Sequence, residues 1–132
     1  MKKLHLNAHP CDTCPYRKDT PSGIWHESEY KKLPKWDDPT AFAGIFHCHN
    51  QTESRQTVCR GWMEVHHENL QVRLTIATLI DFHERNEKPT TVPLHESGEA
   101  AMKAGIKRIN NPSCKAKSKV EKLLRKRKFK SA

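Results

Sequence analysis

The spacing of the cysteines is the feature that most constrains how this chain can fold. Cys11 and Cys14 form a C-x2-C pair, and Cys48 and Cys59 follow with 33 and 10 residues in between. Two residues between thiols let both sulfurs turn toward one ion, and four thiolates make a closed metal site. The surrounding segment is rich in prolines, turns and aromatic residues. A small region with so few regular elements usually needs a cross-link, such as a bound metal, to be stable. We therefore predict a four-cysteine metal site at Cys11, Cys14, Cys48 and Cys59.

The sequence leaves two metal cofactors open. Zn²⁺ is common in four-cysteine sites of small proteins, although zinc ribbons usually supply two C-x2-C pairs. One pair plus two isolated cysteines, with Pro15 directly after Cys14, also suits a [4Fe–4S] cluster. The sequence favours Zn²⁺. His49, beside Cys48, is a candidate alternative ligand or a hydrogen-bond donor to a coordinating thiolate.

Three metal-free interpretations compete with this prediction. Reduced cysteines are common as small buried apolar side chains. A disulfide framework is disfavoured because the count of five cysteines is odd and no secretion signal is visible. A thioredoxin-type redox pair is disfavoured because Pro10 and Pro15 flank the pair and no strand–helix–strand pattern surrounds it.

Periodicity and turn residues predict a small α-rich domain, loop-rich before Cys59 and helical after it. Hydrophobic residues make up 35% of the chain, below the roughly 45–50% of ordinary globular domains, so we expect a small core stapled by metal. The first ten residues are expected to be extended and loosely held. Helices are predicted over 26–33, 60–66, 69–85, 96–109 and 115–129, with a helical turn at 40–45 and Ser113 as the last N-cap.

Apolar residues predict which side chains form the core. Trp25, Phe46 and Trp62 each lie next to a turn or a cysteine, so we expect them to cover the site and to pack against the helix at 70–80. The carboxylates of Asp37 and Asp38 are expected to be solvated in a turn, and His66 and His67 to lie on a helix surface. Residues at helical spacing that should face the core are Trp62, Val65, Leu70, Leu74, Ala77 and Ile80.

Charge divides the chain into two parts. Residues 103–132 contain twelve Lys or Arg and one acid, Glu121, whereas residues 1–102 carry a net charge of −2. We therefore predict a metal-binding globular domain over 1–102 and a basic C-terminal arm over 103–132, helical when bound. A dense cationic run neutralises phosphates and so favours binding to nucleic acid or to a nucleic-acid-processing machine. The candidate phosphate-binding residues are Lys115, Lys117, Lys119, Lys122, Arg125, Lys126, Arg127, Lys128 and Lys130.

Other uses of the arm stay open. A basic amphipathic helix can dock in an acidic groove of a protein partner, lie on an anionic membrane surface, or act as a solvated tail. No stretch approaches the ~18 consecutive apolar residues of a membrane span, so no membrane association is expected. The N-terminus lacks the apolar core of a secretory signal, which predicts a cytoplasmic protein, in the host cytoplasm if the gene is phage-encoded.

The sequence favours a binding protein over an enzyme. It contains no Gly-rich phosphate loop, no G-x-S-x-G and no H-E-x-x-H. The run His47-Cys48-His49-Asn50 keeps a metal-dependent nuclease as one alternative. An iron–sulfur regulatory protein that binds an acidic protein partner is the other.

Several motifs together resemble a family of small uncharacterised proteins from phages and bacteria, known only as a domain of unknown function. The resemblance covers residues 8–65 and implies that the four cysteines belong together, with His49 as a fifth member. It brings no known activity. From the basic arm, the nucleic-acid-binding role we expect includes that of a phage-type modulator of host transcription or translation. The C-x2-C-P-x-R run and the G-x-W also resemble iron–sulfur transcription regulators of actinobacteria, whose cysteine order differs. The motifs are Pro10-Cys11-x-x-Cys14-Pro15-Tyr16-Arg17, Gly23-Ile24-Trp25, Tyr30-x-x-Leu33-Pro34, Phe46-x-Cys48-His49 and Cys59-x-Gly61-Trp62.

Overall fold

The computed structural model describes residues 4–38, 45–48, 51, 53–80 and 90–131. This part of the chain is rich in helix, which confirms the α-rich prediction, and none of its helices is long and apolar enough to cross a membrane. The elements, in chain order, are β1 (His5–Leu6), α1 (Glu27–Lys31), a 3₁₀ turn (Leu33–Asp37), β2 (Thr57–Val58), α2 (Arg60–Val65), α3 (Leu70–Leu79), α4 (Gly98–Ile106) and α5 (Cys114–Ser131).

Side-chain caps fix where the helices begin. The His26 ring accepts a hydrogen bond from the Ser28 N–H at the start of α1. The hydroxyl oxygens of Ser97 and Ser113 accept from N–H groups three residues later, at 3.1 and 3.2 Å, at the start of α4 and α5. The predicted N-cap at Ser113 is therefore confirmed.

The predicted helical turn at 40–45 lies outside the described residues except for its last residue, and so do the predicted helical residues 81–85.

The first strand corrects the prediction that residues 1–10 are loosely held. β1 pairs in parallel with β2, with His5 opposite Thr57 and Leu6 opposite Val58. Leu6 is buried, and so is Leu4, whose N–H donates to the Leu79 carbonyl at 2.8 Å. A strand this short has no periodic signal, and its partners lie more than fifty residues away. The sequence therefore gives no local sign of it.

The buried face of α3 also differs from the prediction. Leu70 and Leu74 are 68% and 49% exposed, whereas Val72 is fully buried and Ile76 packs partly against the core. Both sets recur at helical spacing, because apolar residues occur on two sides of this helix. Periodicity alone cannot choose between two such stripes.

α4 lies against α1 and the 3₁₀ turn, and a glycine makes the contact possible. A Cβ at Gly105 would overlap the ring of Tyr30. The Tyr30 hydroxyl accepts hydrogen bonds from the N–H groups of Ile24 and Trp25 at 3.1 and 3.2 Å, which fixes the turn before α1. Gly105, which weakens the helix prediction, is thus required by packing.

We expect Gly105→Ala to destabilise the protein by about 1–3 kcal/mol, the usual cost of overpacking, although Ala is the better helix former. Denaturant unfolding monitored by circular dichroism measures the change. Lys103→Ala on the exposed side of the same helix is the control and should stay within about 0.5 kcal/mol. A Gly105→Ala variant as stable as wild type would contradict the packing argument.

Candidate metal centre

The Cys11–Cys14 pair sits in a tight hydrogen-bonded turn. The Cys14 N–H donates to the Cys11 carbonyl at 3.0 Å, and the Arg17 N–H donates to the Cys14 carbonyl at 3.1 Å. The Thr20 hydroxyl donates to the same Cys14 carbonyl at 2.8 Å. These local hydrogen bonds shape the turn, although it belongs to neither a helix nor a strand.

A short antiparallel ladder brings Cys48 and Cys59 to the same place. The Cys48 N–H donates to the Thr57 carbonyl and the Cys59 N–H to the Phe46 carbonyl, both at 2.8 Å. His47 and Val58 form the bridge between these two bonds. Because side chains alternate along a strand, Cys48 and Cys59 share one face and His47 lies on the other.

Cys59 and Gly61 let α2 approach the Cys11–Cys14 turn. Cys59 is the N-cap of α2, and its sulfur accepts from the Trp62 N–H at 3.4 Å. A Cβ at Gly61 would lie 2.7 Å from the Cys14 sulfur and 2.9 Å from Tyr16 Cβ. Only glycine allows this approach, which explains the Cys59-x-Gly61-Trp62 motif physically.

The four predicted cysteines come together. The Cys14 and Cys59 sulfurs lie 3.8 Å apart, and the Cys11 thiol interacts directly with the thiols of both Cys14 and Cys48. Cys14, Cys48 and Cys59 are buried, Cys11 is half-buried, and all four are free thiols. Within the described residues, no group of three or more His, Cys, Asp or Glu side chains surrounds a single point as a formed metal site would. The thiols thus form a chain of contacts in the order Cys48, Cys11, Cys14, Cys59.

These contacts shift the pKa values of the Cys11 and Cys14 thiols in opposite directions. Hydrogen bonds from Cys14 and then Cys48 hold the pKa of the Cys11 thiol well below its ordinary value, against the opposing effect of burial. The hydrogen bond with Cys11, the contact with Cys59 and burial all raise the pKa of Cys14. Cys11 is therefore the more acidic thiol of the pair and Cys14 the less acidic one.

The predicted burial of Trp25, Phe46 and Trp62 is confirmed, whereas their packing against the helix at 70–80 stays a prediction. All three are less than a tenth exposed. The Tyr16 ring packs edge-on against Phe46, with centroids 5.9 Å apart, and Trp36 packs edge-on against Phe46 and Trp62 at 5.4 and 5.7 Å. Burial, with the nearby Cys59 as a second cause, raises the pKa of Tyr16. The site is therefore dry on this side.

The structure corrects the expectation that Asp37 is a solvated turn residue and His66 a surface residue. The His66 ring faces the Trp62 carbonyl at 2.9 Å through Nδ1 and the Asp37 carboxylate at 2.7 Å through Nε2. Asp37 also accepts from the first N–H groups of α4, Gly98 at 2.7 Å and Glu99 at 2.9 Å. This link joins α2, the 3₁₀ turn and α4 beneath the aromatic rings. No local pattern predicts it, because its members are 29 and 61 residues apart.

The basic segment is packed on the body along its first half. Residue 102, the boundary predicted from charge, lies within α4. Ala116 is fully buried, and Val120 and Leu123 pack partly against the core. The Lys119 ammonium donates to the Asp12 carbonyl at 2.9 Å. The charge boundary is therefore not a packing boundary.

The predicted phosphate-binding cations divide by position along α5. Lys115, Lys117, Lys122 and Arg125 are exposed, whereas Lys119 is half-buried against the turn. Lys126, Arg127, Lys128 and Lys130 lie within the bounds of α5, with their side chains outside the described part. His49, the candidate fifth member of the site, also lies outside the described residues.

Comparison with protein families gives one match. The model described as Family of unknown function (DUF6283) matches residues 6–127. The match extends well past the predicted 8–65 and includes α4 and most of α5. A search of curated proteins and a search of solved structures find no match.

We expect Cys11 to react as a thiolate in reduced, chelator-treated protein. Because its pKa is depressed, iodoacetamide should alkylate it at nearly the same rate at pH 6 and pH 8, whereas an ordinary thiol with a pKa near ~8.5 slows steeply over this range. Peptide mass spectrometry on a Cys114→Ser background measures the rate, with buried Cys14 as the unreactive internal control. A rate at Cys11 that falls about tenfold per pH unit would contradict the assignment.

Proposed function

The chain belongs to the family of unknown function DUF6283, and from its own residues we propose that it is a non-enzymatic zinc-binding protein that presents a cationic helix to nucleic acid. The observation that carries the metal part is the meeting of four thiols from three segments in a dry, aromatic-lined site. Such thiols bind metal as thiolates, and one of them already has a depressed pKa.

The spacing of the sulfurs supports zinc over an iron–sulfur cluster. Four thiolates at about 2.3 Å from one tetrahedral Zn²⁺ lie about 3.8 Å from one another, which equals the 3.8 Å between the Cys14 and Cys59 sulfurs. A [4Fe–4S] cluster needs a separate iron at each cysteine and a bulky inorganic core between them, so its ligand sulfurs must lie much farther apart.

The ligands of this proposed site are Cys11, Cys14, Cys48 and Cys59. When bound, zinc supplies positive charge that holds four thiolates together and staples the loops that carry them. The chain's own groups prepare the site: the Trp62 N–H donates to the Cys59 sulfur, and Gly61 leaves room for the Cys14 sulfur. Because four thiolates would fill a tetrahedral zinc site and leave no position for water or substrate, we propose a structural rather than a catalytic metal.

The shape of α5 supports binding to phosphates. Its inward positions Ala116, Val120 and Leu123 pack against the core. Exposed cations lie along the same helix at Lys115, Lys117, Lys122 and Arg125. Exposed cations along a docked helix can contact phosphates.

The composition of α5 supports binding that does not depend on base sequence. Residues 114–131 contain no Asn or Gln, the residues that read adenine edges, and Lys outnumbers Arg. Lysine contacts phosphate as a point charge. A role on a nucleic-acid-processing machine in the cytoplasm, such as a phage-type modulator of host transcription or translation, fits this chemistry and belongs to the same proposal.

An acidic protein partner is the second candidate, because a groove of about 330 Å³ lies beside α5. It is lined by apolar residues together with two polar ones, and Lys117 and Arg125 are exposed on the same helix. The lining residues are Ile24, Trp25, His26, Glu29, Val120, Leu123 and Leu124. An acidic peptide with one apolar anchor would match this surface. The nuclease alternative gains no such support within the described residues, where His47 lies opposite the cysteine face and bonds to Gln51 at 3.0 Å.

We expect wild-type protein, purified reduced, to be colourless and to contain about one zinc per chain. Cys48→Ser should lose the metal, because it removes a thiolate and leaves an incomplete ligand set. Cys114→Ser, which alters the exposed thiol at the start of α5, is the matched control and should keep full zinc. Elemental analysis measures both. A brown sample with broad visible absorption, or zinc retained in Cys48→Ser, would overturn the zinc assignment.

We expect duplex DNA binding to weaken with salt, with a log–log slope of about −4 to −7 for 5–8 phosphate contacts. The triple variant Lys115→Gln/Lys122→Gln/Arg125→Gln should reduce the size of this slope by about 2–3. Lys31→Gln/Lys32→Gln/Lys103→Gln has the same net charge and alters exposed cations elsewhere, so its slope should be unchanged. Fluorescence anisotropy with labelled DNA and RNA at several salt concentrations measures binding.

The alternatives predict different results in the same experiment. An acidic-partner role predicts no binding to either nucleic acid at physiological salt. A nuclease role predicts cleavage that needs metal and survives the α5 triple variant. Equal slopes for the two triple variants would contradict the assignment of binding to α5.

A further inference from the structure

Both residues between Cys11 and Cys14 are held by groups from outside the turn. The Asp12 carbonyl accepts from the Lys119 ammonium of α5 at 2.9 Å. The Thr13 carbonyl accepts from Trp25 Nε1, also at 2.9 Å. The turn therefore offers its thiols to the cluster and its two carbonyls to Lys119 of α5 and to Trp25.

The two groups that bind these carbonyls also belong to the region in which α5 packs on the body. Lys119 lies on α5 itself, one turn after the fully buried Ala116. Trp25 lines the same groove as Val120 and Leu123. A change in the direction of either carbonyl would therefore alter the packing of α5, because the groups that bind the carbonyls also position this helix.

We infer that zinc loading of the cysteine cluster and docking of α5 are energetically coupled, so that the cationic helix is held in place when the site is loaded and released when it is empty. This inference rests on the proposed zinc site. It adds that the chain responds to metal: nucleic-acid binding depends on the occupancy of a site that contacts no nucleic acid.

The coupling has a local physical cause. A metal held by Cys11 and Cys14 fixes the backbone angles between them, and those angles set the directions of the Asp12 and Thr13 carbonyls. Without the metal, thiol–thiol contacts of 3.8 Å constrain the turn weakly. By linkage, if the metal strengthens the docking of α5, then weakening the docking must lower the affinity for the metal by the same factor.

The test measures zinc affinity by competition with a chromophoric chelator, using the full chain and two variants. Lys119→Met removes the bond to Asp12 but keeps most of the apolar stem, and it should weaken zinc binding about 5-fold, a typical coupling factor. Lys122→Met removes an exposed cation of the same helix and should leave zinc affinity unchanged. Amide hydrogen exchange gives the structural readout: zinc should slow exchange in α5 of wild type, and much less in Lys119→Met.

Each outcome is decisive. Equal zinc affinities for all three proteins, with α5 exchange insensitive to zinc, would overturn the coupling and leave the zinc site standing. Equal weakening of zinc binding in the two variants would show that the effect comes from the loss of positive charge in general, and it would also overturn the coupling. Failure of wild type to bind zinc would overturn the site and the coupling together. Absence of DNA binding in the separate anisotropy experiment would overturn the dependence of nucleic-acid binding on zinc, whereas the coupling between zinc and the docking of α5 is decided by the zinc affinities alone.

Discussion

The contact between the sulfur atoms of Cys14 and Cys59 joins two segments that lie 45 residues apart in the chain. Cys14 closes a turn bounded by prolines, and Cys59 lies between β2 and α2 as the N-cap of α2. Both segments bring aromatic rings to this contact: Tyr16 follows the turn, Trp62 follows Cys59, and Gly61 allows the two to approach. The helices that follow Cys59 then pack against these rings.

The sequence predicted features with a local chemical cause and missed those whose cause lies far along the chain. The four cysteines, the cap at Ser113 and the approximate helix bounds follow from residue type and short spacing. β1 was missed because two residues carry no periodicity. The roles of Asp37 and His66 were missed because each looks ordinary beside its neighbours. On α3, Leu70 and Val72 were equally good core residues by spacing, and only the position of β1 and the body decides between them.

Charge predicted the chemistry of the C-terminal segment but not its packing. Small residues carry the packing signal there: Gly105 lets Tyr30 lie against α4, and Ala116 lets α5 approach the body. Neither residue stands out in a charge count, and glycine even argues against a helix. A segment can therefore read as a solvated basic tail while its first two turns belong to the core. The candidate site and the candidate binding helix are parts of one packed unit for this reason.

The parallel pairing of β1 has a consequence for how the protein folds as it is made. His5 finds its partner only once Thr57 has been synthesised, and the Leu4 N–H bonds to Leu79. At about 5–20 residues per second, a ribosome needs roughly 4–15 s to make the intervening chain. For an interval of this length the N-terminal segment is outside the ribosome without its partners, and the thiols of Cys11 and Cys14 are open to solvent. At the proposed zinc site, a metal captured before Cys48 and Cys59 emerge would be held by two ligands and released easily, so the ligand set would be completed only once Cys59 has left the ribosome.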